Sequence, residues 1–369
     1  VDKIDVKDIG KGVRYAKMQL TGEEHPLIVH AALIDFTETK GIDVFTASDT
    51  QVEDLKTPSE IIATQTQKGK NILATINGDF FVFETKMSIG TVVKNGEIVK
   101  TPNPQTWNTI FGMGADFKPF LNKVKYDMSL TLADDRVIPI TAINTRRGGN
   151  QLILFDSHYA ETTGTNAYGN EFILEPIGVA WEELSSFEEV RCTVVERHPF
   201  AGNKPISKGK IVISGHGDPA STVWGGTKLG DVVTIKIKPS YDIDPEAQEV
   251  PINCIGAQKP IILKSLNQET DANNAIETNK EPRSGIGYSN DKTRMALIVV
   301  EGRSEASVGV TTSEFADIFA YFKISNAVNM DGGGSSCLII NNYNDNKPVN
   351  VLTDGQERAV ANVISIVER

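Results

Sequence analysis

The run Asn329-Met330-Asp331-Gly332-Gly333-Gly334-Ser335-Ser336 sets one carboxylate, a series of backbone amides and two hydroxyls within a few residues. Glycine reaches φ > 0 and lets another group approach the backbone closely, and successive amides in such a turn form a concave anion site. A second run, Asn77-Gly78-Asp79-Phe80-Phe81, also follows an apolar stretch and offers Asp79 beside a glycine. Further candidates are Glu301, at the end of an apolar run before Gly302-Arg303, and Arg283, in Glu281-Pro282-Arg283-Ser284-Gly285. His216 lies between two glycines, and Asn144 and Arg146 end another apolar stretch. Two carboxyl groups are the basic equipment of glycoside cleavage, one as general acid and one as base or nucleophile. Arginine with glycine-rich backbone suits a phosphate or phosphodiester. The competing structural readings are a self-capped hairpin for Asp331, a surface ion pair between Glu301 and Arg303, and a loop anchor for Arg283.

The elements that must position these groups follow from pattern. Thr57-Pro58-Ser59-Glu60 and Thr311-Thr312-Ser313-Glu314 both read as capping boxes that open helices. Each helix leads into an apolar strand and then a turn carrying Asn, Asp and Gly. The spacing from capping Glu to strand-end Asn is 17 residues in one unit (Glu60 to Asn77) and 15 in the other (Glu314 to Asn329). Asp79 and Asp331 are therefore expected at two strand ends that face one cleft. Elsewhere short strands alternate with turns such as Asn95-Gly96 and Asn290-Asp291-Lys292, and Asp271 to Glu281 reads as a mobile polar loop. Many strands, few helices and no steady β-α alternation predict an α+β fold with mixed or antiparallel sheets and an active-site cleft at strand ends.

A net charge of −11 argues against nucleic acid as a partner but leaves room for local anion sites. No run of 18 apolar residues exists, so no transmembrane segment is expected. The chain opens on Val1 without a leader pattern, so any export signal is expected to have been removed or never to have existed. Cys192, Cys254 and Cys337 form no metal-binding spacing and read as buried thiols.

Taken together and in order, Asn77-Gly78-Asp79-Phe80-Phe81, Ser214-Gly215-His216-Gly217, Arg283-Ser284-Gly285-Ile286-Gly287, Glu301-Gly302-Arg303, the Asp331 turn and Arg358-Ala359-Val360-Ala361-Asn362 resemble the phosphodiester glycosidase family. Its members include the animal enzyme that uncovers mannose 6-phosphate by removing N-acetylglucosamine. Asn144 with the Thr163-Gly164-Thr165-Asn166 loop resembles it too. Two positions depart: Glu301 stands where Asp is usual, and Asp79 where many members carry another residue.

The resemblance implies a hydrolase that cleaves a sugar 1-phosphodiester or a related α-glycoside, with a carbohydrate or sugar-phosphate as partner. It extends over residues 71–369, with 1–70 as N-terminal strands and helix in a small appended region. Asp331 is then the leading catalytic carboxylate, with Glu301 or Asp79 as the second. Arg283 and the amides of Gly332, Gly333, Gly334 and Ser335 hold phosphate, and Asn77, Asn144 and His216 orient sugar hydroxyls or phosphate. The oxygen-rich site also suits a divalent cation, calcium or magnesium, without a fixed-spacing metal loop to support it. A cysteine-poor chain of this kind is expected in the bacterial envelope, periplasm or outside the cell. The competing functions are a non-catalytic glycan-binding module and a metal-dependent phosphodiesterase.

Overall fold

The computed structural model describes residues 2–21, 26–39, 42–47, 52, 54–105, 107–181, 189–243, 252–268, 271, 273–341 and 343–368. It is mostly β. An eight-stranded sheet runs in the order Lys3–Gly10, Val13–Leu20, Leu27–Asp35, Arg294–Val300, Arg283–Tyr288, Asn326–Asn329, Pro260–Leu263, Leu266–Asn267. A four-stranded sheet runs Leu338–Ile340, Asn71–Asn77, Val363–Glu368, Ile42–Ala47. A third, twelve-stranded sheet starts at Ala142–Ile143 and passes through Ile211–Gly215 and Pro119–Thr131 to Glu97–Lys100. Strand pairing is antiparallel throughout these sheets except between Ala142–Ile143 and Leu152–Phe155.

Period-2 patterning explains the layering, because successive side chains on a strand point to opposite faces. In Arg294–Val300, Met295, Leu297 and Val299 join a core shared with Leu73, Ile76, Leu338 and Ile364 of the four-stranded sheet. The alternate residues Ala296, Ile298 and Val300 face Phe315 and Phe319 of the helix Thr312–Tyr321. A strand buried on both faces must read as continuously apolar, as this one does. Val13–Leu20 and Leu27–Asp35 are built into the same sheet, the second pairing through Val29 to Asp35 with all of Arg294–Val300.

The twelve-stranded sheet curls until its ends meet. Ile143 N donates to Thr101 Oγ1 at 2.9 Å, Thr101 N to Ile143 O at 3.2 Å, and Asn144 Nδ2 to Val99 O at 2.8 Å. These bonds bring it close to a closed barrel.

Both expected capping boxes are present, at Thr57 with Glu60 and Thr311 with Glu314. The structure adds two helices. Gly217–Gly226 follows the His216 turn, where Gly217, Pro219, Gly225 and Gly226 conceal the helical pattern. The stretch expected to be a mobile loop carries the one-turn helix Ala275–Thr278, capped by the Asn274 side chain. It is anchored by buried Glu277, which pairs with Lys259 at 2.6 Å. The three cysteines are free and buried. No helix among the described residues is long and apolar enough to cross a membrane.

Candidate active site

The strands Asn71–Asn77 and Asn326–Asn329 belong to different sheets, yet their ends are stitched together. Asp331 N donates to Gly78 O at 3.1 Å, and Asn77 Nδ2 donates to Asp331 O at 2.7 Å. Asn77 Oδ1 accepts from Cys337 N at 3.1 Å. Asn362 acts from the other side: Gly78 N donates to its carbonyl at 2.9 Å, and Asp79 N to its Oδ1 at 2.8 Å. The Asn77 side chain is thus a clamp between backbones, and it is buried.

Beyond this clamp the glycine turn folds into one turn of 3-10 helix, Gly333–Ser335. Gly333 has φ +59, a conformation that favours glycine. A Cβ at Gly334 would lie 2.0 Å from Arg358 Nη2, so only glycine lets that guanidinium close on the turn. The amides of Gly333 and Ser335 are engaged locally, donating to Pro282 O at 2.9 Å and Gly332 O at 3.1 Å.

A cavity of about 310 Å³ opens over this turn. Three arginines line it. Arg303 Nε bonds Glu281 Oε2 at 2.5 Å, and Arg358 Nη2 bonds Asp354 Oδ2 at 2.7 Å. Arg283 is different: it is 3% exposed and donates only to carbonyls, Nε to Val310 O at 2.9 Å and Nη2 to Asn279 O at 2.7 Å. Among the described residues no carboxylate lies within ion-pair distance of it. Burial lowers it to about 10, opposed by the more distant charges of Glu281, Glu277 and Glu314. Asp331 lines the same cavity. Burial raises its carboxyl to about 6, opposed by the Ser335 hydroxyl and the Arg358 charge. With two arginines paired and Asp331 protonated, the cavity carries one formal positive charge, that of Arg283. Phe80 and Ile276 give it an apolar side.

Of the sequence candidates, the structure gathers Asp331, Arg283, Gly332, Gly333 and Gly334 at the cavity, with Ser335 buried behind Asp331. The others lie elsewhere. Asp79 is 1% exposed and turns inward, where Oδ2 accepts from Gly90 N at 2.7 Å and Oδ1 from Trp107 Nε1 at 3.4 Å. Burial raises it to about 7 and lowers its neighbour Lys100 to about 8. Glu301 is buried, and its Oε1 lies 2.9 Å from His30 Nε2 and accepts from Val351 N at 2.8 Å. Burial would raise Glu301, but these bonds outweigh it and hold the carboxyl below its ordinary range.

Asn144 closes the barrel seam, and its Nδ2 also donates to Asp156 Oδ1 at 2.7 Å. His216 caps no helix amide with its ring, which instead accepts from Asn150 N at 3.1 Å. Among the described residues no group of three His, Cys, Asp or Glu side chains is placed to hold a metal. Sequence reasoning missed Arg303, Arg358, Glu281 and Phe80 as cavity residues. Arg303 follows Glu301-Gly302, and Arg358 opens the run Arg358-Ala359-Val360-Ala361-Asn362 ahead of the last strand. For Arg303 the available signal is an arginine beside a glycine at a strand end; Arg358 carries no such signal.

Residues 191–367 match the family model described as phosphodiester glycosidase. Among curated proteins, the SPbeta prophage-derived uncharacterized protein YomE of Bacillus subtilis (strain 168) is 38% identical over 87 residues. That match covers 24% of this chain and 13% of YomE. Among solved structures, a hypothetical protein from Synechocystis superposes with a TM-score of 0.77 at 15% identity, covering 100% of this chain and 64% of the other. A protein of Burkholderia pseudomallei K96243 described as exported gives 0.71 at 18% identity, covering 93% and 74%. The catalytic domain of zebrafish N-acetylglucosamine-1-phosphodiester alpha-N-acetylglucosaminidase gives 0.49 at 12% identity, covering 100% and 88%. The chain thus spans less than two thirds of the Synechocystis protein and a small part of YomE, and the first two structural likenesses fix the fold. Arg283, Arg303, Asp331 and Arg358 all fall inside residues 191–367, the part of the chain that matches the phosphodiester glycosidase family model.

Proposed function

We propose that the cavity hydrolyses a sugar 1-phosphodiester, of the N-acetylglucosamine 1-phosphodiester kind or a related α-glycoside, at the glycosidic C–O bond. The observation that carries this reading is the pairing of Arg283, a buried guanidinium without a carboxylate partner among the described residues, with Asp331, a carboxyl raised to about 6 in the same cavity. A phosphodiester carries one negative charge, which matches the one formal positive charge of the cavity when Asp331 is protonated. Arg283 then holds a phosphate oxygen, and Arg303, beside Gly333, borders the same space.

Water attacks the anomeric carbon as the C–O bond to phosphate breaks, and the electron pair leaves with the phosphate monoester. Asp331 delivers its proton to the departing oxygen, and a carboxylate takes the proton of the attacking water. Neither Glu301 nor Asp79 lines the cavity, whereas Glu281 does, so Glu281 takes the place of that second carboxylate. Asn77 then acts through the Asp331 backbone and not on the sugar itself. A calcium or magnesium ion is not needed for this scheme, because guanidinium groups supply the positive charge. EDTA is therefore expected to leave turnover unchanged. The likeness to a protein described as exported supports an envelope or extracellular location.

The test is release of free N-acetylglucosamine from UDP-N-acetylglucosamine in ¹⁸O water. Label in the sugar with none in the phosphate is the expected result. Label in the phosphate would replace this reading with a P–O-cleaving phosphodiesterase. Binding without turnover, on this and other sugar 1-phosphodiesters, would replace it with a glycan-binding module.

A further inference from the structure

A second crevice, of about 590 Å³, lies where the hairpin Pro260–Leu263 and Leu266–Asn267 meets the barrel strand Pro119–Thr131. It is separate from the candidate active site. The strand Arg283–Tyr288 has Arg283 in one cavity and Tyr288 in the other, five residues and roughly 17 Å apart at strand rise. The volume is that of a small-molecule site, and a junction between two sheets is a common place for one.

Its lining has two chemistries. Phe120, Leu121, Leu263 and Tyr288 form an apolar floor, and Leu266 stands exposed at the rim. Lys264 and Lys292 stand on the rim, each on a left-handed turn residue (φ +50 and +57), and neither makes an ion pair among the described residues. Among the described residues no Asp or Glu lines the crevice, in a chain that carries 48 acidic against 37 basic side chains. The walls are fixed: Asn326 Nδ2 donates to Asn290 Oδ1 at 3.0 Å, Lys264 N to Asn326 Oδ1 at 3.0 Å, and Leu121 N to Tyr288 Oη at 3.1 Å. The last bond ties the two sheets together at the floor. The site is thus apolar inside and cationic at the mouth.

We propose that this crevice binds a small amphipathic anion, its apolar body on the floor and its anionic head between Lys264 and Lys292. The probe is 8-anilinonaphthalene-1-sulfonate, followed by fluorescence with the folded full chain. One equivalent is expected to bind, to be displaced by decyl phosphate, and to resist both decyltrimethylammonium and inorganic phosphate at the same concentration. Lys264→Glu with Lys292→Glu should weaken it at least tenfold without moving the melting temperature, and Leu266→Asp, on an exposed rim residue, should weaken it independently. Absence of binding, displacement by the cationic detergent, or unchanged affinity in the lysine variant while Arg283→Gln abolishes binding would each overturn the proposal.

Discussion

The two helix-strand units read almost alike, and the structure gives their aspartates opposite surroundings. Both open on a capping box, both strands end in Asn, and both place an Asp within two residues of it. The strand ends even touch, through the bond from Asp331 N to Gly78 O. Yet Asp331 opens into a cavity with three arginines, while Asp79 is enclosed by Gly90 and Gly256, where an added Cβ would lie 3.0 Å and 2.5 Å from its Oδ2. Burial raises both carboxyls, to about 6 and about 7. A raised carboxyl is therefore not by itself a mark of catalysis. What separates the two is access and company: Asp331 shares a space with cations that a ligand can reach, and Asp79 shares an enclosed one with Lys100.

Substitution should break the symmetry along that line. Asp331→Asn is expected to lower kcat on a cleaved sugar 1-phosphodiester by about 10³-fold, the order of a lost general acid, with the fold intact by circular dichroism. Asp79→Asn should stay within about tenfold of wild type, because the Asn carbonyl can still accept from Gly90 N. If Asp79→Asn is the more damaging variant, the assignment reverses. Asp79→Ala tests the other half of the comparison. It leaves Lys100 buried with carbonyl partners only, at 3.2–3.3 Å, and should cost about 2–4 kcal/mol in chemical denaturation, with little change in the KM of the protein that remains folded. Arg283→Gln should raise KM about 10–100-fold, since it removes the unpaired charge of the site. Arg303→Gln should cost less, because Glu281 already neutralises Arg303. Equal effects from the two would mean that the ion pair opens in the complex.

Much of this contrast was hidden from sequence for a physical reason. Local pattern carried the helices, the strands and the Asn-Gly hairpin, because capping and turn chemistry act within a few residues. It also marked Asp331 and the three glycines, since a run that permits φ > 0 and close approach has few other uses. Which way an Asp side chain turns depends on atoms far away in the chain, and residue spacing does not hold that information. The motif Arg283-Ser284-Gly285-Ile286-Gly287 is mixed in the same way. Its arginine serves the cavity, while Gly285 makes room for Phe315, whose ring would lie 2.7 Å from an added Cβ. Asn144 ends an apolar stretch, and His216 lies between two glycines. Their side chains contact the barrel seam and the Asn150 turn, contacts set by strand order.

The smallest expected effect is the most discriminating, because it compares a variant with wild type across pH and needs no substrate. In the folded chain Asp331 titrates near 6, above its ordinary 3.8, so ionising it costs the folded state free energy. Below about pH 4 the group is protonated whether the chain is folded or not, and it contributes nothing to the difference. Between about pH 4 and 6 the unfolded chain ionises first, and wild type loses stability as pH rises. Above about pH 6 the loss is complete. Asp331→Asn has no such loss, so its stability relative to wild type should climb through that window and then level, by on the order of 1 kcal/mol given the access of water to the cavity. A carboxylate held by its arginines as a structural ion pair gives the opposite slope, with the variant falling behind as pH rises. Denaturation midpoints at pH 4, 5, 6 and 7 would tell which. A rising difference marks a carboxyl whose ionisation the folded state resists at the expense of stability, while a falling one would make Asp331 a structural partner of its arginines.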